Sequence, residues 1–149
     1  MSRFDPARLD IASYPFSTSV ETRFQDLDPL GHINNVALAA LFENGRVRFN
    51  SGMDWQAQNE AKSLRWLIAR VDINYIAESH FPDPIVVASG VGPIGRSSWT
   101  ILSAAFQNGQ CIGLCDSTLV CTSPEGSQPI SDAFRAELER NRYHALTVM

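Results

Sequence analysis

A polar loop that runs directly into a long apolar helix constrains this chain more than any other part of its sequence. The stretch 26–49 begins with two aspartates, a proline, a glycine, a histidine and two asparagines. Seven consecutive apolar residues, Val36 to Phe42, follow them. Because a surface helix shows polar residues on one side, a helix that begins apolar all round is expected to be buried. The rest of the chain is therefore predicted to wrap around it.

The limits of this helix are marked by local signals. Asn34 or Asn35 suits the N-cap, since a short amide side chain can accept from the free N–H groups of the first turn. The sequence Ser51-Gly52 predicts the stop. Gly45 lies inside the helix, where glycine costs about 1 kcal/mol relative to alanine. That cost is tolerable if the helix backbone and a sheet approach closely at this point.

The remaining pattern predicts a sheet. Threonine- and aromatic-rich or alternating stretches indicate strands, and Asn108-Gly109 is a strong hairpin signal. The predicted elements are strands at 16–24, 66–76, 85–91, 98–106 and 111–122, a short helix or loop at 53–64, and a closing helix at 132–142. Four later strands in a meander can bury an apolar helix only by curling round it. We therefore predict an α+β fold with one strongly bent antiparallel sheet.

Length, charge and termini exclude several classes of protein. A chain of 149 residues fits a single domain, 1–149, that buries roughly 70% of its unfolded surface. A net charge of −4 argues against nucleic acid or an anionic membrane as a partner. The N-terminus does not resemble a signal peptide, and no apolar run approaches the ~20 residues that span a bilayer. We expect a cytoplasmic protein.

The cysteines predict structure rather than chemistry. Cys111, Cys115 and Cys121 are too few for a disulfide framework, and no histidine stands at ligand spacing from them. They share one parity within a predicted strand, so we expect them to fill one face of the sheet. No metal site is predicted.

The loop carries the candidate chemistry. Asp28 stands close to the helix start, where the partial positive charge orients a carboxylate that can attack an electrophile or take a proton from water. Free N–H groups near Asn34 and Asn35 suit an oxyanion. His32 can polarise a carbonyl or position water. The alternative is structural: turn-forming aspartates, a capping asparagine and a histidine satisfied by backbone.

These groups suit acyl transfer to water. The sequence shows no serine or cysteine nucleophile with a paired base and no Gly-x-Ser-x-Gly elbow. A thioester is the easiest acyl substrate for such a set, because a thiol with a pKa of about 8.5 leaves without a strong general acid. Glu43 is a possible second acid, although pairing with Arg46 one helical turn away is the favoured interpretation.

The run Asp-x-Asp-x-x-Gly-His-x-Asn-Asn ahead of an apolar helix resembles the 4-hydroxybenzoyl-CoA thioesterase-like branch of the hot-dog-fold acyl thioesterases. The resemblance covers about 16–135, which we take as the core of the domain. Its matching segments are 23–35, 42–46, 71–75 and 95–99.

The resemblance implies a hot-dog fold, with five or six strands wrapped around one long central helix. It also implies an acyl-CoA thioesterase with Asp28 as nucleophile or general base, and with His32, Asn34 and Asn35 beside it. The turn Gly95, Arg96, Ser97 and Ser98 would contact the CoA nucleotide, which belongs to the substrate, so no separate cofactor is expected. Homodimers joined edge to edge, or tetramers of such dimers, are implied as well.

Two positions depart from related patterns. Leu30 stands where plant-type acyl-carrier-protein thioesterases have asparagine, and Leu38 stands where many relatives have an aromatic residue. These departures leave the acyl specificity open. The alternatives to an acyl-CoA thioesterase are an acyl-carrier-protein thioesterase, an enoyl-thioester hydratase, or a non-catalytic acyl-CoA binding protein.

Overall fold

A single antiparallel sheet curls around one long helix, which confirms the predicted hot-dog architecture. The computed structural model describes residues 3–54 and 65–144. Its elements are β1 (Phe16–Val20), α1 (Asn35–Ser51), β2 (Arg65–Tyr75), β3 (Ile85–Ile94), β4 (Ser98–Gln107), β5 (Gln110–Ser123), the two-residue β6 (Gly126–Ser127) and α2 (Asp132–Arg140), with short 3-10 helices at Pro6–Leu9, Ile11–Ser13 and Phe24–Asp26.

Most predicted boundaries lie within a few residues of the observed ones. The first strand is shorter than predicted, because the chain leaves the sheet after Val20 and forms a 3-10 turn at Phe24–Asp26. The hairpin prediction is confirmed, with Asn108 at φ 51° and Gly109 at φ 80°. Of the predicted short helix or loop at 53–64, residues 55–64 lie outside the described part of the chain.

The order of strands differs from the predicted meander. The sheet runs β1-β3-β4-β5-β2, so only β3 to β5 follow one another as neighbours. Strand β1 pairs with the free edge of β3, where Phe16 faces Ser89. The connection 76–84 therefore joins β2, at the far edge beside β5, to β3. This arrangement leaves the outer edge of β2 without a neighbouring strand among the described residues.

Helix α1 is buried on one side only, which corrects the expectation of a helix buried all round. Leu38 and Phe42 are 4% and 1% exposed and pack against the sheet. Val36 and Val47, on the other side, are 73% and 59% exposed. A curved sheet of one chain encloses one side of a helix, so the apolar run leaves an uncovered apolar strip.

The cysteines do not share one face, because a β-bulge changes the parity of β5. The β4–β5 register shifts between Ala105, which faces Gly113, and Phe106, which faces Cys111. Cys111 consequently packs on the face of the sheet away from α1, whereas Cys115 packs on the helix side. Burial raises the pKa of both thiols, as expected for packed side chains rather than reactive ones.

The N-terminal segment covers part of the sheet face turned away from α1. Leu9 and Tyr14 pack on that face. Arg8 lies 2.8 Å from the Asp116 carboxylate and donates to the Ser103 carbonyl at 3.1 Å. Burial raises the pKa of the Tyr14 phenol, whose hydroxyl donates to the Arg8 carbonyl at 2.7 Å.

No helix in the described ranges is long and apolar enough to cross a membrane.

Candidate active site

The Asp28 side chain holds its own loop in shape through hydrogen bonds to the backbone. Its Oδ1 accepts from the backbone N–H groups of Leu30 at 2.9 Å and His32 at 3.1 Å. The turn is closed by a bond from the Gly31 N–H to the Asp28 carbonyl at 2.9 Å, and Gly31 takes φ 82°, a conformation that favours glycine. Within the described part of the chain, Oδ2 of Asp28 has no hydrogen-bond partner. One carboxylate oxygen is thus fixed and the other is available.

Asp28 lines a cleft of about 330 Å³. Polar and apolar side chains share its walls, and they come from the loop, the start of α1 and the segment after β2. The lining residues are Asp28, His32, Ile33, Asn35, Leu38, Tyr75, Ile76, Ala77, Glu78 and Ser79. A cleft that combines apolar walls with convergent polar groups suits a small-molecule site.

The start of α1 supplies unused N–H donors beside this cleft. Asn34 is the N-cap, and its Oδ1 accepts from the Ala37 N–H at 2.8 Å. The Asn34 N–H donates to the Asp26 carbonyl at 2.8 Å, which fastens the loop to the helix. Among the residues described, the N–H groups of Asn35 and Val36 donate to no protein acceptor. These two donors, rather than that of Asn34, are available for an oxyanion.

His32 contacts two residues that the sequence did not single out. Its Nε2 lies 3.2 Å from Oε2 of Glu78, and its ring meets the ring of His80 edge to face, with 5.2 Å between centroids. Glu78 lies some 46 positions along the chain from His32, so no local pattern links the two residues. Only the path of the segment after β2 brings them together.

Asp26 has a structural role, as the turn-former interpretation predicts. Its side chain is 5% exposed. Its oxygens accept from the Arg23 backbone N–H at 3.0 Å and from the Arg23 guanidinium at 2.9 Å. The two aspartates of the loop therefore differ in their surroundings: Asp26 is buried and hydrogen-bonded through both oxygens, whereas Asp28 lines the cleft.

Glu43 lies on the exposed side of α1, with 70% of its side chain accessible. Its carboxylate is 3.9 Å from the guanidinium of Arg46, which is itself buried and donates to the Ser117 hydroxyl at 3.0 Å. The predicted pairing of Glu43 with Arg46 is confirmed, although at this distance it contributes little to stability.

The turn Gly95–Ser98 lies at the opposite end of the sheet from Asp28. Tyr75, which lines the cleft, faces Gly113 of β5, whereas Ser98 faces Val120 of the same strand. Seven residues of β5 at roughly 3.3 Å each separate these points by about 23 Å. One copy of the chain does not bring the turn and the cleft together, and the nucleotide contact of Arg96 stays a prediction.

No three histidine, cysteine, aspartate or glutamate side chains in 3–54 and 65–144 are grouped so that they could hold a metal ion.

Comparisons with known proteins agree with this architecture. The family model of the thioesterase-like superfamily matches residues 22–138. A thioesterase from Thermus thermophilus, solved with coenzyme A and Zn, is 26% identical, with a TM-score of 0.75 over 86% of this chain and 94% of that one. A predicted thioesterase from Bacillus stearothermophilus is 26% identical, with a TM-score of 0.73 over 87% and 97%.

A more distant structure shares the fold. The 1,4-dihydroxy-2-naphthoyl-CoA thioesterase from Synechocystis is 14% identical, with a TM-score of 0.70 over 83% of this chain and 94% of that one. No curated protein matches the chain in sequence.

Proposed function

Because this chain belongs to the thioesterase-like superfamily, we propose that it is an acyl-CoA thioesterase that hydrolyses an acyl- or aroyl-CoA to the free acid and CoA. The observation that carries the proposal is the cleft lined by Asp28, which has one carboxylate oxygen free of hydrogen bonds among the described residues, beside a helix start with two unused N–H donors. A carboxylate and an oxyanion site are the two groups that acyl transfer to water requires. The similar Thermus thermophilus structure, which contains coenzyme A, supports a CoA thioester as the substrate.

In the proposed reaction, the thioester carbonyl oxygen accepts from the N–H groups of Asn35 and Val36, where negative charge develops. Asp28 either attacks the carbonyl carbon or takes a proton from the attacking water. The carbon–sulfur bond then breaks, and the thiolate, derived from a weakly acidic thiol, takes up a proton to give free CoA. In the water route this step also yields the free acid; in the nucleophilic route it leaves an acyl–Asp28 anhydride, which water then hydrolyses to the free acid and the restored carboxylate. His32 and Asn35 position the reacting groups, and the capping bond of Asn34 holds the loop against α1.

A thiol-release assay over straight-chain acyl-CoAs and aroyl-CoAs tests this function. We expect free thiol and free acid to appear in equal amounts with at least one class, at a rate proportional to protein concentration. The same acyl groups on acyl carrier protein show which carrier is used. Hydration of a crotonyl thioester without thiol release would replace the proposal with a hydratase. Binding of thioesters with no turnover of any would replace it with a non-catalytic binding protein.

We further propose that two copies pair through the outer edge of β2. Exposed apolar side chains lie along this strand and on the uncovered side of α1, among them Leu67, Val71, Tyr75 and Val36. A long edge strand with exposed apolar residues favours pairing with another strand. Pairing through a two-fold axis would join the two sheets and cover part of the apolar strip of α1.

This pairing gives the Gly95–Ser98 turn a place in the site. In an antiparallel β2–β2 pair, the Tyr75 end of one copy lies beside the Arg65 end of the other. Arg65 faces Thr122 of β5, and the Cys121 N–H donates to the Ser97 carbonyl at 2.8 Å. The partner's turn would therefore lie at the cleft end, about 14 Å away across three strand spacings of roughly 4.8 Å. We propose that Arg96 there contacts the phosphates of CoA, with Ser97 and Ser98 assisting.

Val71→Lys should separate the dimer and lower activity. Val71 lies midway along β2 and is 46% exposed, and two-fold pairing would place two new lysines near each other. We expect the solution mass to fall from that of two chains to that of one, and thiol release to fall about 10-fold as the partner's contacts are lost.

Ser17→Lys is the matched control, because Ser17 is exposed on β1, the other edge strand of the sheet. It should leave both mass and activity unchanged. A Val71→Lys protein that keeps the wild-type mass, or dissociation caused by Ser17→Lys instead, would contradict pairing through β2.

Assembly is proposed to stop at the dimer rather than at a tetramer of dimers. Residues 3–15 already cover part of the sheet face away from α1, which a second dimer would otherwise contact. The mass of the wild-type protein by sedimentation decides between two and four chains.

A further inference from the structure

Glu78 and His32 form a pair at the cleft. The 3.2 Å contact joins Oε2 of Glu78 to Nε2 of His32. A carboxylate offers only lone pairs, so at 3.2 Å its charge favours a proton over a lone pair on the facing ring nitrogen, Nε2. In a neutral histidine the other ring nitrogen, Nδ1, then has a free lone pair. The contact therefore favours one of the two neutral tautomers.

The backbone on both sides of Glu78 is held in place. The N–H groups of Ile76 and Ala77 donate to the Ile112 carbonyl of β5, at 3.0 and 3.2 Å. The Ser79 carbonyl accepts from the Ile33 N–H at 2.9 Å, within the loop that follows Asp28. Glu78 is thus tied at one side to the sheet and at the other to the catalytic loop. Any movement of this segment would move His32 and Glu78 together.

The ring of His80 contacts the ring of His32. The two rings meet at 77°, edge to face. The side chain of the buried Gln107 donates to the His80 carbonyl at 2.7 Å and accepts from the His80 N–H at 2.8 Å. The ring of His32 therefore lies between a carboxylate near one nitrogen and the ring of His80, whose backbone is held by Gln107.

The contact between Glu78 and His32 contributes little to the stability of the fold. The Glu78 side chain is 69% exposed, and exposed ion pairs contribute little to the free energy of unfolding. The position of one imidazole proton, by contrast, decides whether His32 offers a donor or an acceptor at Nδ1.

We propose that Glu78 is a positioning residue, which holds His32 in the tautomer that accepts a hydrogen bond from the hydrolytic water at Nδ1. This inference rests on the proposed hydrolase function. In it, Asp28 supplies the reacting carboxylate, His32 orients the water, and Glu78 acts only through His32. The opposite tautomer would set two acceptors against each other at 3.2 Å and turn Nδ1 into a donor.

Glu78→Ala should change the tautomer and lower kcat. In wild type, ¹⁵N NMR of the three histidines should show His32 with its proton on Nε2, and Glu78→Ala should give a mixture. We expect kcat to fall about 10-fold with KM within about twofold, since the water and not the substrate is misplaced. Glu78→Gln, whose amide can either accept from Nε2 or donate to it, should give an intermediate mixture of tautomers and keep part of kcat.

A double-mutant cycle tests whether Glu78 acts through His32. In a His32→Ala background, Glu78→Ala should cause no further loss of kcat. Glu125→Ala removes an exposed carboxylate from the β5–β6 turn and should change neither readout. An unchanged tautomer in Glu78→Ala, or losses that multiply in the double variant, would overturn the inference. The NMR readout needs no substrate, so it decides this point even if no thioester is hydrolysed and the proposed function fails.

Discussion

Replacing Asp28 with asparagine should lower thioester hydrolysis by at least about 100-fold, in line with the loss of a main catalytic group. Asparagine keeps an oxygen that can accept from the N–H groups of Leu30 and His32, so the loop should keep its shape. What it removes is the negative charge of a carboxylate that lines the cleft. An amide can neither take a proton from water nor attack a thioester. The measurement is kcat/KM by thiol release, with thermal unfolding followed on the same samples.

Asp26→Asn is the matched control, since it makes the same chemical change two residues away. The Asp26 carboxylate is buried and accepts from the backbone and the guanidinium of Arg23. We expect this variant to lose about 1 kcal/mol of stability and to keep the wild-type kcat at a temperature where it is folded. Near-normal hydrolysis by a folded Asp28→Asn protein would show that Asp28 is not the catalytic carboxylate.

Gly45→Val should lower the free energy of unfolding by about 3 kcal/mol or more, although valine has a better helix propensity than glycine. A Cβ at position 45 would stand 2.7 Å from the Cβ of Val87 in β3, and closer still to Cγ1 of the same side chain. Real side chains do not approach so closely, so helix and sheet would have to separate. The close approach predicted from a glycine inside the helix is confirmed.

Urea unfolding of three variants measures this contact. Gly45→Ala should also destabilise, because its gain of about 1 kcal/mol in propensity is smaller than the cost of overpacking. Adding Val87→Ala removes the two methyl groups that a new side chain meets and should restore part of the loss. If Gly45→Ala is more stable than wild type, the backbone relaxes at no cost and the packing argument is wrong.

The loop and the helix could be predicted from sequence because their structure is local. Asp28, Gly31 and Asn34 lie close together along the chain, and each forms bonds with backbone groups a few residues away. Such short-range contacts follow from residue type: an aspartate that closes a turn, a glycine with positive φ and an asparagine that caps a helix. The separation of Asp28 from Asp26 followed from their distances to the helix start.

The predictions that the structure corrects depend on contacts between residues far apart in the sequence. The apolar run at 36–42 predicts burial but does not tell which partner supplies it, so the exposed side of α1 was missed. Alternating strands predict a sheet but not the neighbour of each strand, and β2 lies beside β5 at the sheet edge instead of in the predicted meander. The prediction that the three cysteines of β5 share one face is wrong because the bulge near Ala105 depends on pairing with β4.

The sequence by itself determined the curved sheet around a helix and the loop that presents Asp28, because hydrophobic period, turn residues and caps act over a few residues. Only the tertiary structure decided which groups stand around that carboxylate. Strand β2 lies at the far edge of the sheet, and the segment that follows it passes the loop. Glu78 of that segment therefore contacts His32. Contacts between distant residues depend on strand order, and strand order is set by the packing of the whole sheet.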